Sequence, residues 1–193
     1  MNVEDLESKY ISMYNALKQI IATSQQRVIA ESPDELFLNN INFFAKAYLI
    51  NICTYLESYL KETAIERARK INDKIVRAGI PHNYVHWQLS TLKTKDDYSF
   101  SHLTLPIDND ALSTDLSANV YKTIELFKHL GIDLTIEEEF QNNKGKISAL
   151  VTKRNKIIHH NDNASDLTFP DLIDHIDVFI NYLRAINKVV KQY

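Results

Sequence analysis

Three glycines and four prolines are all that 193 residues contain. Sheets joined by tight turns consume both types, glycine for positive-φ backbone and proline for preset corners, so a β-sandwich or barrel is a poor fit. Apolar residues instead recur at steps of three and four, the spacing of one helix face. Val3, Leu6, Tyr10, Met13, Leu17, Ile20 and Ile21 mark a first helix over residues 3–30. Ser32-Pro33-Asp34-Glu35 reads as the next start, with Ser32 as cap, Pro33 at the first helical position and Glu35 three beyond the cap. Phe37, Ile41, Phe44, Tyr48, Ile52, Tyr55 and Tyr59 then form one stripe, with Leu38, Ala45, Leu49, Leu56 and Leu60 beside it. A stripe that wide faces a core on more than one side. The pattern predicts one long helix that runs on through Ile65 to Ile75 and stops at Gly79 and Pro81.

Beyond Pro81 the pattern weakens. His82 to Leu92 suits a short helix, and residues 93–113 show no clean alternation, which predicts an irregular loop with a short hairpin. Thr114 opens a helix through Val120, Ile124, Phe127 and Leu130, ended by Gly131. Thr135-Ile136-Glu137-Glu138 resembles a capping box for a short acidic helix. Residues 144–160 form another helix, with Ile147, Leu150, Val151, Ile157 and Ile158 inward, followed by a polar loop over 161–167. Thr168 starts a last helix on Leu172, Ile176, Phe179, Leu183, Ile186 and Val190, a near seven-step seam that suits either the bundle interior or a second protomer. The expected architecture is all-α: one helical domain over 1–193, with 81–140 as an irregular insertion.

Composition narrows the function classes. Apolar residues at 45% and charged residues at 24% are ordinary for a globular chain. A single cysteine excludes an internal disulfide framework and any Cys-rich zinc module. The opening MNVEDLESKY has no apolar core of a signal peptide, and no run approaches 18 apolar residues, so a cytoplasmic protein without a membrane partner is expected. With only Gly79, Gly131 and Gly145, the chain lacks a phosphate-binding P-loop and a dinucleotide fingerprint. Its net charge is −3, so contact with a polynucleotide must come from a local patch.

Such a patch lies in KGKISALVTKRNKIIHHND, residues 144–162. Lys144, Lys146, Lys153, Arg154 and Lys156 give five positive charges with no acid until Asp162. They suit an RNA phosphate backbone. His159 and His160 fall where the helix should end, and the partial negative charge of a helix C-terminus favours a protonated imidazole. Asn155, four residues before His159, is placed to orient the ring or hold a phosphate oxygen. An imidazole that moves the proton of a ribose 2′-hydroxyl, beside a guanidinium that stabilises charge on the phosphoryl oxygens, can cleave RNA without a metal. One imidazole does not easily serve as base and acid in a single pass. A homodimer would supply both groups, and the seam of the last helix offers a route to it.

Arg154-Asn155-Lys156-Ile157-Ile158-His159 resembles the Arg, polar residue, spacer, His motif of the HEPN superfamily. It stands at the end of one helix, before a polar loop and a final long apolar helix, as in that family. AYLINICTYLESYLKETA, residues 47–64, is similar to the long helix near the start of the RiboL-PSP-HEPN group. The resemblance covers about residues 36–78 and 144–190. It implies an all-α bundle that dimerises and joins two motifs in one composite cleft. It further implies a metal-independent endoribonuclease of a toxin–antitoxin or abortive-infection, antiviral defence system, with an antitoxin or defence-system protein as a further partner. Arg154 and His159 become the catalytic pair, Asn155 the polar motif position and His160 the reserve, since a spacing of five also satisfies the pattern. Some toxin members carry a modified tyrosine two residues after the motif histidine. Asn161 stands there in this chain, so that route of regulation is not expected.

Competing readings stand beside these. A spacing of four to six between Arg and His carries little alone, and Arg77 and His82 show it across a helix break. Histidines are common at helix C-termini, and a basic run is usually a solvated face. Glu57 is placed to position Arg154 or is simply solvated, and Asp162 is the other supporting candidate. Tyr55 and Tyr59 suit a core or dimer contact, and Cys53 suits a buried small hydrophobe. His82 and His86 have Asn83 where a metalloprotease helix needs Glu, and nothing in the spacing of His159, His160, Asp162, Asp174, His175 and Asp177 demands a metal. No cofactor or metal is expected. The alternative function is a catalytically inactive HEPN module that binds RNA or a partner protein.

Overall fold

The computed structural model describes residues 3–89, 98, 100–105 and 118–193. Among them are seven α-helices: α1 (Val3–Ile29), α2 (Glu35–Asn39), α3 (Ile41–Ala78), α4 (His82–Leu89), α5 (Val120–His129), α6 (Glu138–His160) and α7 (Phe169–Val190). A single 3₁₀ turn, Leu134–Ile136, joins α5 to α6. The only extended pairing among the described residues is an isolated antiparallel bridge between Pro81 and His102. The protein is thus all-α, as the turn-poor composition requires. No described helix is long and apolar enough to cross a membrane.

Four long helices carry the core. α7 packs on α1 and α6, and α3 packs on α1, α6 and α7. Tyrosines fill much of the interior, with their hydroxyls satisfied where they meet backbone. Tyr14 is fully buried and donates to Ile52 O at 2.9 Å, and Tyr10 crosses Tyr59 edge-on at 5.6 Å. The seam of α7 lies inside the bundle: Leu172, Ile176, Phe179, Leu183 and Ile186 are fully buried and Val190 nearly so. That settles the two readings of the seam in favour of the core and removes it as a route to a dimer.

Several expected boundaries shift, each for a local reason. The second helix is capped by Asp34, which accepts from Leu36 N at 3.0 Å, and not by Ser32, so Pro33 stands outside the helix. The long helix is interrupted at Asn40, whose side chain donates to Leu36 O at 2.9 Å and closes α2. The break turns Phe37 back to stack on Phe44, with centroids 4.5 Å apart. α5 starts at Val120, not Thr114, because the Asn119 side chain accepts from Tyr121 N and Lys122 N. Thr114 itself, most of the loop and hairpin expected over 93–113, and residues 90–92 lie outside the described residues. Thr135 gives its hydroxyl to Asp133 and caps nothing, so the expected acidic helix and the helix over 144–160 are one element. Ile158, expected inward, is 47% exposed because it lies between the buried Ile157 and the end of α6. Thr168 starts the last helix as expected, through a capping box with Asp171, and α3 stops at Gly79 as expected, where the backbone turns left-handed.

Gly145 is where α6 runs through a poor helix former. It is exposed, and a Cβ built there meets nothing within 4 Å. Gly145→Ala is therefore expected to raise unfolding stability by about 0.5–1 kcal/mol, because alanine loses less backbone entropy on folding. Urea denaturation checks this, and a destabilised variant would show that α6 is not continuous there.

Candidate active site

The site begins with a charged residue on an apolar face. Arg154 follows Asn143, Ile147, Leu150 and Val151 along the inward stripe of α6, and Ile157 continues it. These neighbours are buried, yet Arg154 carries a charge that cannot be removed at any ordinary pH. α3 supplies the answer. Asn42, Lys46, Leu49, Cys53 and Glu57 fall at steps of three and four along one of its faces. Glu57, at the inner end of that face, accepts from Arg154 Nη2 in a close ion pair. The side chains keep only 14% and 28% of their exposure, so water screens the pair weakly. Asn155 Oδ1 accepts from Arg154 Nη1 at 3.0 Å. Glu57 Oε1 also accepts from Ala118 N at 3.4 Å, tying the chain that leads into α5 to the same carboxylate. The guanidinium has five N–H donors, and its buried Nε has no partner among the described residues.

The outer end of the same α3 face holds the far end of α6. Asn161 closes the helix in the left-handed region, with φ 50°. Lys46 Nζ donates to Asn161 Oδ1 at 3.1 Å. Asn42 donates to Asn163 Oδ1 at 3.4 Å and accepts from Ala164 N at 2.8 Å. One helix face thus fixes both the guanidinium and the turn that follows the histidines. His159 and His160 are exposed at that end. On an ideal helix His159 projects about 140° away from Arg154, since residues advance by about 100° each. Asn155 shares the His159 side of the helix but bonds Arg154, so it orients the guanidinium rather than the ring.

The basic run divides. Arg154 is paired with Glu57, and Lys153 with Asp166, whose carboxyl is held below the usual range by that hydrogen bond. Lys144 reaches Gln141, a neutral partner. Lys146 and Lys156 are exposed. Lys146, Lys153, Lys156 and His160 share a second stripe of α6, at steps of seven, three and four. Asp162 is exposed and joins α6 through its backbone N–H to Lys156 O at 3.4 Å, so it is not brought to Arg154. Tyr59 is fully buried, and Tyr55 packs edge-on against Tyr14 at 5.6 Å. Among the described residues no three of His, Cys, Asp and Glu gather as metal ligands. A groove of about 440 Å³, lined by Ile124, Lys128, Asp133 and Tyr193 among others, includes none of the site residues.

Residues 7–192 match the model of the RiboL-PSP-HEPN family, and the chain belongs to that family. The match extends beyond the two segments that carried the resemblance in the sequence. No curated protein and no solved structure matches the chain. Membership supports a nuclease or other RNA-related role in broad terms.

Sequence reasoning named Arg154, Asn155 and Glu57 but missed Asn42, Lys46 and Ala118. The first two carried a signal, their helical register with Glu57. Ala118 carried none, since its backbone N–H is what matters. Cys53 sits one turn before Glu57 on the shared face, fully buried. Burial pushes its thiol up to about 12, against the opposing pull of the Arg154 charge. At pH 9 the folded thiol is therefore protonated and slow toward iodoacetamide, while the unfolded thiol is largely ionised. Labelling at pH 9 is expected to need denaturant. Equal rates with and without denaturant would mean that the α3–α6 contact opens freely.

Proposed function

We propose that this protein is a metal-independent endoribonuclease whose site is completed by a second copy of the chain. The observation that carries the reading is the guanidinium of Arg154, fixed by Glu57 and Asn155 near the helix end that exposes His159. A free surface arginine would spend its binding energy on becoming ordered, and this one is ordered beforehand. Its remaining N–H groups stabilise the charge that builds on the non-bridging phosphoryl oxygens. The ribose 2′-oxygen attacks phosphorus and gives its proton to one imidazole. The bond from phosphorus to the 5′-oxygen breaks, and that oxygen takes a proton from the other imidazole. The products are a 2′,3′-cyclic phosphate and a 5′-hydroxyl. His159 is the proton-transfer residue and His160 its reserve. Lys144, Lys146, Lys153 and Lys156 hold the flanking phosphates. The two imidazoles come from two copies, because one ring does not serve both steps in one pass.

The biological setting we propose is a toxin or phage-defence component, held in check by an antitoxin or a defence partner. The competing reading, an inactive module that binds RNA or a protein, draws on the charge neutralised at Lys153 and Arg154 by Asp166 and Glu57.

Cleavage of single-stranded RNA in EDTA separates the two. Arg154→Ala and His159→Ala are each expected to lower the rate by about 10²-fold or more. Glu57→Gln is expected to lower kcat more than it raises KM, since it loosens a positioned group. Products should carry the cyclic phosphate. Strict dependence on an added divalent ion would end the mechanism. RNA binding by both variants with no cleavage by the wild type would leave the binding module.

A further inference from the structure

Phe43 is an aromatic side chain that the core does not use. It stands in the first turn of α3, off the inward stripe of Ala45, Tyr48, Leu49 and Ile52, and is 66% exposed. It meets Phe44 edge-on, with centroids 5.7 Å apart. Such a contact occupies at most one face of the ring, so the other face is open to solvent. Phe44 is fixed in turn: it stacks on Phe37 at 4.5 Å, and Arg27 lies over Phe37. The open ring therefore rests on an ordered support. A single exposed apolar side chain needs no explanation by itself. The neighbours of Phe43 supply one.

Phe43 and Lys46 are three residues apart on α3, so they are neighbours on one face of the helix. Lys46 Nζ donates to Asn161 Oδ1 at 3.1 Å and to Asn161 O at 3.4 Å, and Asn161 directly follows His160. One helical turn and one hydrogen bond thus link the open ring to the end of α6 that exposes His159 and His160. The group between them is a cation, and Lys156 is exposed on the adjoining turn of α6. An open aromatic ring beside a basic track suits single-stranded nucleic acid, because every base has a face that stacks and the cations follow the phosphates. A duplex offers no such face, since its bases are covered by their neighbours. The exposed acids Glu31 and Glu35 precede α3 and do not stand on the face that carries Phe43 and Lys46.

We propose that Phe43 is a stacking platform for an unpaired base of the RNA, close to the phosphate that is cut, and that it selects single-stranded over paired substrate without reading base identity. The place beside the cut phosphate rests on the nuclease reading of Arg154 and His159. The platform itself stands on the open ring, its ordered support and its cationic neighbour.

Binding by the full chain is measured with a single-stranded 2′-O-methyl oligonucleotide, which lacks the attacking hydroxyl and is not cut. It carries 2-aminopurine, a fluorescent base that dims when stacked, at each position in turn. Phe43→Ala and Phe43→Leu are each expected to weaken binding by about 10-fold or more and to abolish the dimming, while keeping wild-type helicity and melting, since the side chain faces solvent. Phe43→Trp is expected to restore both. The matched duplex should bind more weakly than the single strand. On cleavable RNA, Phe43→Ala should raise KM and leave kcat near wild type, because stacking holds the ground state and the transition state alike. Wild-type affinity in Phe43→Ala or Phe43→Leu would overturn the platform, as would equal binding of the duplex. So would a protein that binds no RNA and instead holds a basic amphipathic peptide through Phe43, which would make the patch a protein-docking surface. The two claims fail separately. A Phe43→Ala variant that binds and cuts as the wild type does removes the platform and leaves the nuclease. A wild type that stacks the base through Phe43 and cuts no RNA keeps the platform and removes the nuclease.

Discussion

The ion pair between Glu57 and Arg154 is the constraint around which the α3–α6 contact is arranged. Placing a guanidinium on the inward stripe of a helix costs several kcal/mol in lost hydration unless a carboxylate meets it with good geometry. Here the partner comes from the neighbouring helix, almost a hundred residues earlier in the chain. Pairing of this kind seldom stabilises a fold beyond what a well-packed apolar pair would give. What it does supply is position. Glu57 fixes the guanidinium, and its second oxygen fixes the chain leading into α5 through Ala118. The arrangement makes sense as a site held ready at some energetic cost, and less well as a structural staple.

The site is divided between two ends of one α3 face. Glu57 governs Arg154, and Asn42 and Lys46 govern the turn after His160. α6 presents the guanidinium toward α3 and the imidazoles toward solvent, on opposite sides of the same helix. A single copy therefore holds the guanidinium and the imidazoles on different faces of one helix. A second copy enters the proposed function because one imidazole does not serve as base and acid in a single pass.

The bundle was legible because its information is periodic. The stripes of α1, α3, α6 and α7 repeat at helical spacing over many residues, and few turn-forming residues interrupt them. What was not legible depends on single hydrogen bonds. Asn40 breaks the long helix by bonding one carbonyl, and Asp34 displaces Ser32 as cap by bonding one N–H. Thr135 turns to Asp133 instead of capping α6. The choice between interior and interface for the α7 seam was beyond pattern analysis, because both environments ask for the same residues. In the candidate site, the Arg–His spacing pointed to the segment that carries the Arg154–Glu57 pair. Helical register, which puts the two side chains on different faces, was equally available from the sequence and says more about how they can work.

The central claim is that Arg154 and Glu57 are kept as a charged pair for what they do to RNA. The direct test replaces both at once, Arg154→Met with Glu57→Gln, which removes the charges and keeps an acceptor for Ala118. The measurement is thermal unfolding together with RNA cleavage on the same preparation. The account predicts a helical protein at least as stable as the wild type, with cleavage abolished. A double variant that unfolds readily, or one that cleaves as the wild type does, would contradict it.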